Sequence, residues 1–546
     1  MSTTTPPRPP VPPDGPRSLT DNLGLPTLRD VHPPQFVLRL PRWLRVAGVL
    51  VVLVLVSMYL RTIEIGGTLW WAEAGAIGTA TQSFGGVLHA AYVSGSAPLY
   101  YVLLHFWTAG IGDTPGAARD LSLIFALLCI PVGGWAGWSL AGERGGFYAA
   151  VLFAFSSFLT DYGQAAQPYA LLALFGLLAS TAFVHAFVYR RRGYLFLFVA
   201  SVVAALYTQG STGLFLFGAV VALLVVIGCA PPEQRRAIVR DAALCTVAIV
   251  VLFIPWIPAT INQIAHATYP WHYAPVLQNE LPADLVGGDR VDADLLVLVV
   301  MAMGPFLISR ARRREPDAVA LYALLVMMAS ALLFGLVANV AAPVLIFRYF
   351  AMTASALLLL SALCAARTKI VGLVAVALVI IFCADPAAFA SSHPSNMNEV
   401  AAQMGGRLHR GDVVAVAQPE QAALAWYYLP SGVRWASTLG PVKDPRYMDW
   451  DGALTKLQRA APAPTLGRLV ASLRPGQQLL YIRPLTEGAK NWESPWAALV
   501  QLRAAQWGRL LSSDVAGGTL KQVASAPLNY PGDCCVASSA VLYRKS

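Results

Sequence analysis

The strongest constraint in this 546-residue chain is a succession of long stretches without a single Asp, Glu, Lys or Arg. They cover residues 121–142, 145–160, 162–189, 193–232, 242–265, 295–309, 318–347, 349–366 and 370–384. About 20 apolar residues in a helix cross a bilayer, and the uncharged part can be shorter where long basic side chains snorkel at the ends. The stretch 193–232 is twice that length and breaks at Gln209-Gly210-Ser211-Thr212-Gly213, so it reads as two spans. Between the stretches stand short basic clusters: Arg190-Arg191-Arg192, Arg235-Arg236 with Arg240, Arg310 with Arg312-Arg313-Arg314, and Arg367 with Lys369. Such clusters belong on the cytoplasmic side. Charged residues make up only 12% of the chain, about half the roughly 25% usual in soluble proteins. The net charge of +10 resides largely in these clusters and in no basic face interleaved with aromatics, which excludes nucleic-acid binding as the main role. Cys129, Cys229, Cys245, Cys364 and Cys383 lie in apolar stretches, where a free thiol is a small hydrophobe.

Residues 1–35 are rich in Pro, Thr and Asp and have little to bury, as in a disordered tail. Arg39, Arg42 and Arg45 precede an apolar run at 46–60 that starts too late for a signal peptide and lacks a small-residue cleavage site. It is read as a retained first span with the N-terminus cytoplasmic. Alternation then places the loops near 161–167, 209–213, 259–293 and 341–347 outside, with everything after about residue 385. Residues 61–117 form one external segment, in which the apolar 98–112 lies along or dips into the outer interface. The expected architecture is a multi-span α-helical membrane protein with eleven transmembrane helices and a C-terminal extracytoplasmic α/β domain. Its divisions are a cytoplasmic tail at 1–44, a transmembrane domain at 45–385 and the α/β domain at 386–546. Within the last, 411–417 reads as a turn into a strand and 478–482 as a second strand, while 466–473 and 495–511 have helical apolar spacing. The composition suggests a bacterial plasma membrane.

Candidate chemistry falls on the outer face. Glu73, in Trp70-Trp71-Ala72-Glu73-Ala74, is the only acidic residue between Glu64 and Asp113. It is a candidate general base or metal ligand, or else a solvated carboxylate beside an interfacial tryptophan belt. Arg348, in Ala342-Pro343-Val344-Leu345-Ile346-Phe347-Arg348-Tyr349, follows a helix-breaking proline and enters the next apolar run. An intramembrane arginine is costly, and its planar fork suits a phosphate at headgroup depth, specific or merely lipid. The polar cluster Asp161 to Tyr169 is either part of the same site or a turn whose proline opens the next helix. Tyr427, Tyr428 and Trp435 could stack on sugar, although aromatics at this density are usually core. Cys534 and Cys535 could be oxidised as an adjacent pair or to a partner.

In this order the elements resemble the GT-C glycosyltransferases that use polyprenyl-phosphate sugars, the group of protein O-mannosyltransferases and lipid A aminoarabinose transferases. Bacterial members carry Trp-x-Asp-Glu-Ala, then His-Pro-Pro-Leu-Tyr-Tyr with a later Trp, Arg-x-x-Ser, Ser-Gln-Glu-Ala-Arg-x-Tyr-Ala, and Pro-x-x-x-x-Arg-Tyr. The chain matches at Trp70, Glu73, Ala74, Pro98, Leu99, Tyr100, Tyr101, Trp107, Arg119 and Ser122. Further matches are Gln164, Ala166, Tyr169, Ala170, Pro343, Arg348 and Tyr349, so the resemblance covers roughly residues 45–385. It departs at Ala72, Ser96, Ala97, Ala165 and Gln167, where the family has Asp, His, Pro, Glu and Arg.

The resemblance implies transfer of a hexosyl or pentosyl group, with inversion, from a polyprenyl-phosphate donor to a glycan, lipid or protein acceptor at the outer face. Membrane lipids are the other expected partners. With the family Asp absent, Glu73 is the expected catalytic base, and Arg348 the group that stabilises the phosphate leaving group. Tyr349, Gln164, Tyr169, Tyr100 and Arg119 are the further expected substrate-binding residues. A divalent metal is possible in the superfamily; none is predicted here, because no ligand set is visible. The alternative is a catalytically inactive relative that binds lipid-linked sugar or scaffolds envelope assembly. A transporter would call for intramembrane acid pairs and internal repeats, and neither is present.

Overall fold

In a computed structural model the described residues are 41–266, 290–304, 309–310, 314–341, 347–368, 370–383, 395–485, 495–526 and 537–546. Contacts divide the chain into residues 1–52 and 53–546. Of the first unit the described part is the start of α1 (Arg42–Arg61), an apolar helix on which Val51 and Val52 are more than half exposed. Pro343, Cys534 and Cys535 lie outside the described residues.

In the second unit three short helices follow α1: α2 (Trp71–Ala80), α3 (Phe84–Val93) and α4 (Leu99–Ile111). The 40-residue α5 (Pro115–Ala154) begins with Pro115 in its first turn and with Thr114 accepting a hydrogen bond from the Ala117 amide at 3.4 Å. It breaks at Ala141 and Gly142, where Gly142 takes a φ of 70° that other residues avoid, just before the charged pair Glu143-Arg144. The second arm folds back so closely that a Cβ on Gly137 would overlap the Gly145 carbonyl; small residues permit this packing of helix against helix.

Next come α6 (Ser157–Gly163), α7 (Tyr169–Phe183, prolonged by a π turn Val184–Val188), α8 (Gly193–Leu206), α9 (Thr212–Cys229), α10 (Pro232–Phe253) and α11 (Ile257–His266). They are followed by α12 (Arg290–Ala302), α13 (Pro316–Ala341), α14 (Ala351–Ala365) and α15 (Ile370–Cys383). Every residue of α14 and nearly every residue of α7 is buried, so these two are the centre of the helical part. Helices apolar all round are stable only when surrounded. By contrast Leu244, Val247 and Val251 on α10 are bare, as expected of a surface facing lipid.

Seven helices among the described residues are long and apolar enough to cross a membrane, against the eleven expected. One of the seven is the kinked α5, which contains two of the uncharged stretches. The apolar helices α8 and α15 have 14 residues each and α12 has 13, short of the roughly 20 that a perpendicular crossing takes. The protein is thus a multi-span helical membrane protein.

The C-terminal region is an α/β domain, as expected. It contains α16 (Met397–Met404), β1 (Val413–Val416), α17 (Ala422–Tyr428), β2 (Arg434–Ser437), β3 (Gly440–Val442), α18 (Ala453–Arg459) and α19 (Pro462–Ala471). The remaining elements are β4 (Gln478–Pro484), α20 (Pro495–Ala516), β5 (Leu520–Ala526) and β6 (Ser538–Lys545). The strands form one sheet in the order β3-β2-β1-β4-β6-β5, in which β1 runs parallel to β2 and β4 and the other pairs are antiparallel.

Both faces of β1 and β4 are buried, which is why these strands read as continuous apolar runs. Val413, Ala415, Leu479 and Tyr481 pack with residues of α19 and α20. Val414, Val416, Leu480 and Ile482 belong to a core that also contains Leu69, Ile77, Tyr100 and Leu104. The sheet domain and the segment of short helices are therefore built around shared apolar contacts, and this fixes the domain over the site.

Candidate functional site

Glu73 lies in the first turn of α2 and is 1% exposed. Its Oε1 accepts from Arg119 Nε at 2.8 Å and the Ala166 amide at 2.9 Å. Its Oε2 accepts from Arg119 Nη2 at 2.7 Å and the Trp70 amide at 3.3 Å. A carboxylate has about four acceptor positions, and all are taken. Arg119 spends its other three N–H groups on the carbonyls of Ile65, Gly67 and Thr68, at 2.8–2.9 Å. The pair is a bidentate, fully satisfied staple that ties the loop before α2, the start of α5 and the 165–166 loop together.

Gln164 is also committed, donating from Nε2 to the Arg61 and Ile63 carbonyls at 3.0 and 3.1 Å. Tyr100 is buried, with its hydroxyl 2.7 Å from Ser122 Oγ, which in turn donates to the Gln167 carbonyl. None of Glu73, Arg119, Gln164 and Tyr100 lines the cavity described next.

That cavity, of about 680 Å³, is bordered by the start of α7 at Pro168 and Tyr169, the start of α9 at Ser211 and Gly213, and Arg348 and Tyr349 just ahead of α14. Three helix starts at one cavity favour negative charge there, since each turns the positive end of its dipole toward it. Arg348 sits in the 3-10 turn Phe347–Phe350. Its guanidinium carbon is 5.6 Å from the centre of the Trp70 ring and 5.7 Å from that of Tyr169, in cation–π range of both. Arg348 Nε, Gln167 Oε1 and Ser211 Oγ are buried polar atoms without a hydrogen-bond partner, the condition in which a ligand or water is called for.

No Asp, Glu or His is among the described lining residues. Ala72, Ser96 and Gln167, three of the positions where the chain departs from the GT-C motifs, all line this cavity, whereas Ala165 does not. Of the seven residues expected at a site from sequence, Arg348, Tyr349 and Tyr169 meet here. Ser211, Tyr101 and Trp450 also line the cavity without having been singled out. The break at Gln209 to Gly213 was the available signal for Ser211, since a polar interruption between two apolar runs marks a helix start. No such signal pointed to Trp450, which reaches the cavity from the C-terminal domain. Among the described residues no group of three or more His, Cys, Asp or Glu side chains could hold a metal ion.

The C-terminal domain is fastened to α2 and its flanks. Tyr428 Oη accepts from the Leu69 amide at 3.0 Å, and Tyr427 Oη donates to the Asp113 carbonyl at 2.9 Å. Trp450 packs between Trp71 and Trp496, at ring separations of 6.2 and 5.4 Å. A Cβ on Gly78 would overlap the Arg446 carbonyl, so the backbone of the domain lies directly on α2. Tyr427 and Tyr428 thus act as fasteners.

No protein-family model matches the chain, and no curated protein matches it by sequence. Among solved structures it is similar to ArnT from Cupriavidus metallidurans in the apo state, with a TM-score of 0.57 and 13% identity over 91% of this chain and 97% of that one. ArnT from the same organism bound to undecaprenyl phosphate gives a TM-score of 0.55 and 14% identity over 92% of this chain and 98% of that one. Identity this low speaks to architecture alone, and it does so over nearly the whole length of both proteins: the chain shares the fold of the ArnT structures.

Proposed function

We propose that this protein binds a polyprenyl-phosphate sugar in the Arg348 cavity and transfers the sugar, with inversion, to an acceptor of the cell envelope. The observation that carries the reading is Arg348: a guanidinium with a buried, unpartnered Nε at a cavity bordered by three helix starts, with no carboxylate among its described lining residues. A phosphate monoester or diester would satisfy the Nε, and departure of polyprenyl phosphate would place growing negative charge against that cation. ArnT, which shares the fold, has been solved with undecaprenyl phosphate bound. The cavity lies at the 209–213 and 348 ends of the helices; the Arg clusters at the opposite ends support the reading that it opens on the outer side of a plasma membrane, with the N-terminus cytoplasmic.

A second reading, a relative that binds lipid-linked sugar without turning it over, is favoured by the saturation of Glu73 and by the lack of an Asp, Glu or His on the described cavity wall. In this proposal Glu73 and Arg119 position the loop before α2 and take no part in proton transfer. The test uses undecaprenyl phosphate binding to purified protein, wild type beside Arg348→Gln. Charge-assisted hydrogen bonds are worth about 1.5–3 kcal/mol, so the variant should bind on the order of 10- to 100-fold more weakly. Equal affinity in the two proteins would remove Arg348 as the phosphate anchor. Turnover of a radiolabelled polyprenyl-phosphate sugar separates transfer from binding alone.

A further inference from the structure

Attack by an acceptor hydroxyl on an anomeric carbon needs somewhere for its proton to go, and the described wall of the Arg348 cavity offers no carboxylate or imidazole. A narrow crevice of about 10 Å³ adjoins it. Ser94, Gly95, Gln263 and Trp450 line both chambers, so the crevice lies directly against the larger cavity. Its lining also includes Asp451, the only carboxylate among the described residues lining either chamber. The crevice is close to the roughly 10–15 Å³ that one water needs.

We propose that Asp451, supplied by the C-terminal domain, is the general base of the transfer reaction; this rests on the reading of the protein as a polyprenyl-phosphate sugar transferase. Among the described residues the Asp451 carboxylate has no hydrogen-bond or ion-pair partner, whereas its neighbours are committed. Asp449 accepts from the Asp451 amide at 2.9 Å and from Lys456 Nζ at 3.2 Å, and Asp444 is paired with Arg446 at 2.7 Å.

The loop is held in place at three points: the Asp449 contact to its own backbone, Trp450 between Trp71 and Trp496, and Arg446 against Gly78. Asp451 is exposed in the crevice beside the cavity, and a base supplied there makes the covering domain part of the reaction rather than a passive cap. In the step, Asp451 takes the acceptor proton, directly or through one water, and the acceptor oxygen forms its bond to the anomeric carbon. The bond from that carbon to the phosphate oxygen breaks with its electron pair, and polyprenyl phosphate leaves against Arg348.

The experiment uses the full chain in detergent, a panel of radiolabelled undecaprenyl-phosphate hexoses and pentoses, a bacterial envelope extract as the source of acceptor hydroxyls, and release of undecaprenyl phosphate as the readout, beside direct binding of undecaprenyl phosphate. Asp451→Asn should bind undecaprenyl phosphate as the wild type does and show the same thermal midpoint. Its kcat should fall by about 100-fold or more, the usual scale for a lost general base, with KM little changed. Asp451→Glu should recover part of the rate.

An Asn variant within three-fold of wild-type kcat overturns the assignment, and so does a wild type that binds undecaprenyl phosphate in an Arg348-dependent way yet turns over no sugar of the panel. Binding that does not depend on Arg348 strikes the functional reading itself, which makes the two failures distinguishable.

Discussion

Two arginines in this chain stand in apolar surroundings beside aromatic residues, and only their partners tell them apart. Arg119 has all five donors matched, two of them to Glu73, while Arg348 keeps an unpartnered Nε at a cavity. The difference sets opposite expectations for substitutions that look alike on paper. Glu73→Gln leaves Arg119 buried with an incomplete shell, and removing one member of a buried pair costs about 3–5 kcal/mol. The expected result is a lower yield of folded protein and a thermal midpoint several degrees down in detergent. A catalytic base would behave differently: the Gln variant would keep its midpoint and lose only turnover, and that outcome would return Glu73 to the chemistry. Arg348→Gln should do the reverse of the structural case, weakening undecaprenyl phosphate binding and lowering the midpoint less than Glu73→Gln does, because what it gives up is ring contacts with Trp70 and Tyr169, and it leaves no buried charge unpaired.

The elements were more legible than the orientation of their side chains. Uncharged runs announced the membrane helices, and the apolar runs of β1 and β4 announced strands, since length and composition decide these things locally. Side-chain direction is not local. Tyr100 and Tyr101 are adjacent in one motif, but consecutive residues of a helix point about 100° apart. The first bonds Ser122 in the core and the second lines the cavity. The motif residues Glu73, Arg119 and Gln164 lie outside the cavity for the same reason: they hold the segments that carry it. Trp450 was beyond reach because its place depends on how a domain more than 300 residues further on docks onto α2. That docking can be tested on α2 itself. Gly75→Ala has open space for the new Cβ and should stabilise the helix by up to about 1 kcal/mol, whereas Gly78→Ala would drive its Cβ into the Arg446 carbonyl. The expected pair is a raised midpoint for the first and, for the second, a lowered midpoint with faster proteolysis of the 443–452 loop. Equal behaviour of the two variants would mean that the domain does not rest on Gly78.

At the scale of the whole molecule, the shared core joining the sheet domain to the short helices makes the stability of one the stability of both, and a single carboxyl exposes that linkage to pH. Glu420 is 2% exposed, in the turn that leads into α17, the helix packed with α2. Its Oε1 accepts from Gln418 Nε2 at 2.8 Å and from the Trp496 indole at 2.9 Å, while Oε2 has no partner. Burial pushes this carboxyl above its ordinary range, against the opposing pull of those two donors. A carboxyl raised in the folded state binds more protons folded than unfolded, so its contribution to stability is complete below the unfolded pKa, about 4.3 for a glutamate, and is lost as pH rises through the folded value. Glu420→Gln fixes the neutral form. Wild type and variant should therefore unfold at similar temperatures near pH 4.5, and the wild type should fall progressively below the variant as the pH is raised to 8. Tryptophan fluorescence follows the same transition, because Trp496 donates to the group being titrated and packs on Trp450 at the cavity. Midpoints that run parallel across the whole range would show that Glu420 ionises without cost in the folded protein, and would remove burial as the dominant influence on it.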